Sequence, residues 1–398
     1  MSKIDRLIIL FILSIFMGEL GKLPLESLPL SISDLLGALI VVCFLLSQRR
    51  KLLLIRLPSF ALPLSLFIIL AGCSLLLALS RFTPIEVVIS GLYLLRLTNF
   101  WLVCLIILER VRLKSTLSQA LSQTIIFGGL AFSILGFLQL WLLPDFTKLP
   151  ESLGFDPHQF RLASTFFDPN YAGAFLVMLL IFCLNHIMSN KKYWIVPVKV
   201  LIILSGIALF FTYSRSAYLM ALISLPLFGI LKKKWALLIV ILIIGSLGIA
   251  LSPRARERVM GSIHPDVTAN ARIESWRQTY QVFSDHPMLG NGFNTLRYAN
   301  RDKGYFPSLL STGGNSGAGS DSSFLFVLAT TGIIGLLSYL LLITHLLLRS
   351  FKLRRSNSQL LVFVCLTGLV VESNFINSLF YPPILGLLLV LIGNADAE

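Results

Sequence analysis

Residues 191–234 read KKYWIVPVKVLIILSGIALFFTYSRSAYLMALISLPLFGILKKK. Two apolar span cores, Val196 to Phe211 and Ala217 to Ile230, stand between lysine clusters and are separated by the short turn around Ser214 to Ser216. A helical crossing of a bilayer takes roughly 20 residues, and cationic connectors stay on the cytoplasmic side, so each run reads as one span anchored at its lysine end. The turn then lies on the opposite face. It carries Arg215 in a connection too tight to leave the membrane surface, where an unpaired charge is costly.

The rest of the chain extends this reading. It has 398 residues, 56% of them hydrophobic and 13% charged, a composition that excludes a water-soluble domain of this size. Further span cores are Leu7 to Met17, Ile32 to Leu46, Phe60 to Leu79, Val87 to Ile107, Ile125 to Leu143, Ala172 to Ile187, Ala236 to Leu251, Phe324 to Leu348, Leu360 to Val371 and Ile384 to Ile392. The expected fold is an all-α, polytopic integral membrane protein with about twelve transmembrane helices in a single membrane domain. The first segment follows Lys3 and Arg6 like a signal peptide but lacks a small-residue cleavage pattern, so it is read as a retained span. The five cysteines fall inside apolar segments at irregular spacing, which argues for packing rather than disulfides or metal.

A net charge of +14 raises the question of nucleic acid, but position answers it. The basic residues gather at Arg49, Arg50, Lys51 and Arg56; at Arg110, Arg112 and Lys114; at Lys191 and Lys192; at Lys232 to Lys234; and at Arg349, Lys352, Arg354 and Arg355. With both termini cytoplasmic, every cluster falls on a cytoplasmic connector. The extracytoplasmic segments are then a connector at 144–170, the turn at Arg215, and a long loop at 252–320. In that loop Ile273, Trp276, Tyr280 and Phe283 recur at helical spacing, with Arg272, Arg277 and Gln278 off the stripe, which predicts an amphipathic helix. His286-Pro287, Gly290 and Gly292 end it, and Ser311 to Ser320 is rich in glycine and serine.

Arginines on this outer face are the first candidates for chemistry: Arg161, Arg215, Arg254, Arg256, Arg258, Arg272, Arg277, Arg297 and Arg301. A guanidinium fork fits phosphate oxygens, each charge-assisted bond contributing roughly 1.5 to 3 kcal/mol; the alternative for Arg215 is snorkelling to lipid headgroups. Asp168-Pro169-Asn170 opens a span and reads first as an N-cap followed by a first-turn proline. Asp321 opens the span near Phe324, with capping and general-base work as its two readings. Arg96 is mid-span with Asn99 a turn away, and either pairs with a carboxylate such as Glu372 or lines a cavity. No Walker A, HExxH or DxD pattern is present, and the histidines lack ligand spacing, so no cofactor and no metal is expected.

Several of these pieces together resemble the bacterial O-antigen ligase and O-antigen polymerase superfamily. The segment Arg161-Leu-Ala-Ser-Thr-Phe-Phe-Asp168-Pro169-Asn170 resembles its R-x-x-G-x-F-x-N-P-N run, and Ser214-Arg215-Ser216 its S-R-[SG] turn. Arg272 with Trp276, then His286-Pro287 and Gly290-Asn-Gly292, resembles its periplasmic-loop helix; Ser320-Asp321-Ser322-Ser323 with Thr331-Gly332 and Gly335 resembles the start of the next span. The region covered is 161–392. The resemblance implies a GT-C-like, metal-independent inverting glycosyltransferase whose donor is an undecaprenyl-pyrophosphate-linked oligosaccharide. By position Arg215 and Arg272 would clamp the pyrophosphate, with Arg161, Asn170 and Arg277 supporting the pyrophosphate and glycan. Ligases of the family usually carry a histidine where Asp321 stands, so polymerisation of repeat units for O-antigen, capsule or exopolysaccharide is favoured over ligation to lipid A core. Membrane lipids and other polysaccharide export components are the further partners expected. A flippase of the same lipid-linked glycans would share the spans and the arginines, but no internal repeat supports it. A purely structural envelope component would need no arginine constellation.

Overall fold

A computed structural model describes residues 2–24, 28–47, 57–150, 153–189, 194–236, 243, 245, 247–248, 250–261, 266–306 and 319–397. It is helical, in the order α1 (Lys3–Met17), α2 (Ile32–Ser47), α3 (Ala61–Leu77), α4 (Pro84–Leu113), α5 (Ser115–Leu142), α6 (Pro169–Met188), α7 (Ile195–Thr212), α8 (Arg215–Leu231), α9 (Pro253–Met260), α10 (Val267–Asp285), α11 (Leu296–Asp302), α12 (Ser323–Lys352), α13 (Asn357–Glu372) and α14 (Pro382–Ala395). Among the described residues six helices are long and apolar enough to cross a membrane: α3 with its closing 3-10 turn, α4, α5, α6, α7 and α12. Of the expected twelve, α2, α8, α13 and α14 are shorter apolar helices and α1 has 15 residues, while the run Ala236 to Leu251 falls largely outside the described residues.

The helices start where local chemistry starts them. Thr83 and Glu86 form a reciprocal capping box ahead of Pro84, satisfying donors that the first turn of α4 leaves unpaired. Asp168 caps α6, Ser214 caps α8, Asp266 caps α10 and Ser322 caps α12. Helix α6 is the axis of the bundle: 78% of its most apolar window is buried inside the protein, against 33% for α3 and α7. It packs against α7, α8 and α13, and Gly173 lets the start of α8 approach so closely that a Cβ there would meet the Ala217 Cβ at 2.5 Å.

The bundle has two unlike ends. At one, Arg110 bonds Ser2 and Asp5, Arg112 donates to the Asp396 carbonyl, and Arg349 pairs with the Asp396 carboxylate, so both described ends of the chain lie together with the basic residues that finish α4 and α12. At the other, α6, α8, α12 and α14 all begin, and α10 and α11 pack there between the spans.

Helix α12 is broken within its apolar stretch. Gly332 has φ 70° and ψ −171°, outside the helical region, which frees carbonyls near the break. In a membrane interior such groups must be satisfied by protein. The segment after α10 does this: Asn291 N–H donates to Ala329 O at 3.0 Å and Gly292 N–H to Thr330 O at 2.9 Å, while Ile333 N–H donates back to Pro287 O at 2.9 Å. Ser74 Oγ adds a second bond to Thr330 O at 2.6 Å, and Arg81 Nη1 donates to Gly290 O at 2.8 Å. The two glycine motifs of the sequence are therefore two halves of one interlock. A Cβ at Gly332 would lie 2.3 Å from Met288 O, and one at Gly290 2.4 Å from the Thr330 carbonyl.

Gly332→Ala is expected to lower stability by about 2 kcal/mol or more, from positive-φ strain combined with a backbone clash. Gly206→Ala in α7, where nothing lies within 4 Å, serves as the neutral control. Thermal unfolding of the detergent-solubilised protein checks this; equal midpoints for the two variants would contradict the interlock.

Candidate functional site

A cavity of about 1340 Å³ opens at the end where α6, α8, α10, α12 and α14 begin. Arg161, Asn170, Arg215, Arg272 and Asp321 line it. A helix N-terminus carries roughly half a positive charge on unpaired N–H groups, and several converge here beside the arginines. The arginines and helix starts give this part of the wall a positive potential.

Its floor is a rigid polar knot. Arg161 is 8% exposed; its Nε donates to Thr212 O at 2.8 Å and its Nη2 to Asn170 Oδ1 at 3.1 Å. Ser214 Oγ donates to the same Asn170 oxygen at 2.9 Å. The break between α7 and α8 is held open by Tyr213 in the left-handed region at φ 47°, under the Arg254 guanidinium 4.8 Å from its ring centroid. Burial, with Arg258 nearby, lowers Arg161 to about 9, so it still carries its charge at neutral pH.

Arg215 and Arg272 are placed differently. Arg215 is committed: Nη1 donates to Gly261 O at 2.7 Å, and Nη2 bonds Asp266 Oδ1 at 2.9 Å and Thr268 Oγ1. Asp266 also caps α10 through Ala269 N–H at 2.8 Å and lies 3.8 Å from Arg258. Burial works against the Asp266 charge, but the hydrogen bonds from Ala269, Thr268 and Arg215 outweigh it and bring its pKa to about 2. Arg272, on the cavity face of α10, has no hydrogen-bond or ion-pair partner among the described residues and is the wall's uncommitted cation on this side.

Asp156, Asp168 and Asp321 line the same cavity, within reach of the charge of Arg272. Asp168 caps α6 by accepting Asn170 N–H at 2.6 Å, as its Asp-Pro context predicts; burial nevertheless raises its pKa. Asp321 is not a cap. That role falls to Ser322, whose Oγ accepts Leu325 N–H at 3.3 Å, and the Asp321 backbone is pinned instead by Trp276 Nε1 donating to its carbonyl at 3.0 Å. Its carboxylate accepts no hydrogen bond among the described residues, and burial pushes it up to about 6 against the pull of Arg272. Asp156 is exposed on the cavity wall, where partial desolvation by the surrounding protein, with Asp168 and Asp321 nearby, raises it to about 6. His158 stacks on Phe146 with ring centroids 3.9 Å apart, and burial beside Arg161 lowers it to about 4, so it is neutral at pH 7.

Several expectations need correction. Arg277 lies on another face of α10, 72% exposed and 3.9 Å from Glu274, and does not reach the cavity. Arg96 pairs with Asp34 through two bonds of 2.7 Å, not with Glu372, although it does line the far side of the cavity. Glu372 is fully buried, with neither carboxylate oxygen bonded among the described residues. The amphipathic helix forms, but Ile273 and Tyr280 are 52% and 58% exposed, while Thr279 and Val282 are its buried face. Asp266 and Asp156 were missed. Asp156-Pro157 repeats the Asp-Pro pairing of Asp168-Pro169, and Asp266 stands one residue before a helical run, which are the signals available for them.

No curated protein matches this chain. The O-antigen ligase family model matches residues 200–340, which hold Arg215, Asp266, Arg272, Asp321 and both halves of the α12 interlock. Over that stretch the chain is similar to the O-antigen ligase family, in keeping with the resemblance that its arginine and glycine motifs carry.

Proposed function

We propose that this cavity is the active site of an inner-membrane glycosyltransferase that takes an undecaprenyl-pyrophosphate-linked glycan as donor and polymerises repeat units on the extracytoplasmic face. The observation that carries the reading is the meeting of an uncommitted Arg272, the buried Arg161 and several helix N-termini with carboxylates raised toward neutrality in one chamber. Arg272 seats the pyrophosphate first. Arg215 joins by exchanging Asp266 for a phosphate oxygen, and Asn170 fixes the geometry of Arg161 beneath them.

The chemistry follows from charge. An acceptor hydroxyl attacks the anomeric carbon from the face opposite the leaving group; the new C–O bond forms as the bond to pyrophosphate breaks, with inversion. The hydroxyl proton passes to the Asp321 carboxylate, and the electron pair leaves on the pyrophosphate, where guanidinium groups and helix N-termini stabilise it. No metal is assigned a part.

The cavity is larger than the roughly 300 to 1000 Å³ of an ordinary small-molecule site. Beyond Tyr171 and Tyr381, stacked at 4.0 Å, it continues to Glu19, Tyr93, Arg96 and Arg297. Arg297 also has no partner among the described residues, which suits a second anionic glycan there as acceptor. Asp321, in the place where ligases of the family usually carry histidine, favours polymerisation; transfer to lipid A core is the alternative.

The decisive experiment is conversion of a purified undecaprenyl-pyrophosphate oligosaccharide by the reconstituted protein with EDTA present. A ladder of longer lipid-linked glycans is expected. Unchanged substrate that crosses the vesicle bilayer would sink the reading in favour of transport, and product made only with lipid A core would replace polymerase by ligase. Arg272→Ala is expected to cut kcat/KM at least 100-fold, about 2.7 kcal/mol at the transition state, whereas Arg277→Ala stays within twofold of wild type.

Two further outcomes test the electrostatics. A base must be unprotonated, so activity is expected to rise with pH through about 6, following Asp321, and to level off above 7; a flat profile from pH 5 to 8 would remove Asp321 as base. Asp266→Asn leaves Arg215 less firmly held and is expected to tighten inorganic pyrophosphate binding several-fold by calorimetry. Weaker binding in that variant would mean Asp266 orders the seat rather than competing for it.

A further inference from the structure

The basic end of the bundle holds a second feature that the glycosyltransferase reading does not use. Lys232, Lys352, Arg354 and Arg355, with Leu231 and Leu360, line a pocket of about 490 Å³ where α8 and α12 finish and α13 begins. Cationic connectors are expected at this end on topological grounds alone. What separates this group from its neighbours is compensation. Arg110 is paired with Asp5 at 2.8 Å and Arg349 with Asp396, whereas no carboxylate pairs with any cation of the pocket among the described residues.

The local geometry concentrates the charge. Lys232 Nζ bonds Asn357 Oδ1, which ties the end of α8 to the first turn of α13. Arg354 lies over the Phe351 ring, 3.9 Å from its centroid, and donates to Phe351 O at 2.7 Å, so its guanidinium is fixed rather than free in solvent. Ser356 at the head of α13 makes no side-chain cap, which leaves first-turn N–H groups to add their partial charge. Beside the pocket, Leu348, Phe351 and Leu353 are exposed apolar side chains on α12 and the turn after it. A concave cationic seat flanked by apolar surface at a helix end matches an amphiphile whose phosphate enters the pocket and whose chains lie along the helix.

We propose that this pocket seats the phosphate headgroup of an anionic membrane lipid. Arg354 and Arg355 supply the guanidinium donors, Lys232 and Lys352 complete the charge, and the apolar flank of α12 holds an acyl chain. The site is independent of the cavity at the other end of the bundle, so the proposal stands whatever sugar that cavity handles.

Native mass spectrometry of the full-length protein in detergent tests it, with dioleoyl phosphatidylglycerol and dioleoyl phosphatidylcholine as probes. Wild type is expected to retain phosphatidylglycerol over phosphatidylcholine. The double variant Arg354→Gln/Arg355→Gln is expected to lose that retention at least tenfold, while Lys303→Gln at the opposite end keeps it. Lys352→Gln, which alters a single exposed side chain, is expected to lose part of it and keeps the test open should the double variant fail to fold. Equal retention of the two lipids by wild type, or undiminished retention in the variants, overturns the proposal. Displacement of the lipid by millimolar inorganic phosphate also overturns it, because the pocket would then read free phosphate rather than a headgroup.

Discussion

The structure depends on the seam where the chain after α10 enters the break in α12. An open backbone inside an apolar bundle is tolerated only if its amides and carbonyls find partners in the protein. Here the extended Gly290-Asn291-Gly292 segment and the interrupted turn at Gly332 satisfy one another. Because α10 ends at the seam and α12 passes through it, the helix bearing Arg272 and the helix start bearing Asp321 are fixed to the same point. Trp276 reaching the Asp321 carbonyl is the cross-brace of that arrangement. The Arg272 and Asp321 side of the candidate site is therefore positioned by backbone hydrogen bonds in the bundle, although Asp321 itself belongs to a connection between helices.

Electrostatics then decide what such a frame can hold. Arginines in a low-dielectric chamber are tolerated when carboxylates or backbone oxygens answer them, and most of these are answered: Arg161 by Thr212 O and Asn170, Arg215 by Asp266 and Gly261 O, Arg96 by Asp34. The residual positive potential rests on Arg272, Arg297 and the helix N-termini. Carboxylates in the same space are raised by burial and by one another, which leaves Asp321 and Asp156 able to exchange a proton near neutrality.

The all-helical fold and the six long apolar helices were legible because they depend on runs of neighbouring residues. The polar pairs were not, since they join residues far apart in the chain: Arg96 and Asp34 are separated by 62 positions, and no local pattern marks them. Arg277 could have been set aside from spacing alone. Five residues from Arg272 on an α-helix turn through about 140°, so the two side chains cannot serve one cavity. Asp321 as a cap failed for a subtler reason: Ser322 stands one residue nearer the helix and takes the role, which frees the carboxylate. Helix α10 was predicted correctly, but its apolar stripe does not mark its buried face, because a helix beside a cavity buries what packs against the bundle rather than what is most hydrophobic.

The Arg215 contact also bears on ionic strength. Dissolved salt weakens association in proportion to the counter-charges newly neutralised. A ligand that takes Arg215 replaces one anion, the Asp266 carboxylate, with another, so the number of ion pairs at that residue does not change. Capture by Arg272 creates a pair where none stood among the described residues. On the proposed reading the two arginines respond differently to salt: a new ion pair at Arg272 is screened, while an exchange of one anion for another at Arg215 is far less sensitive to dissolved ions.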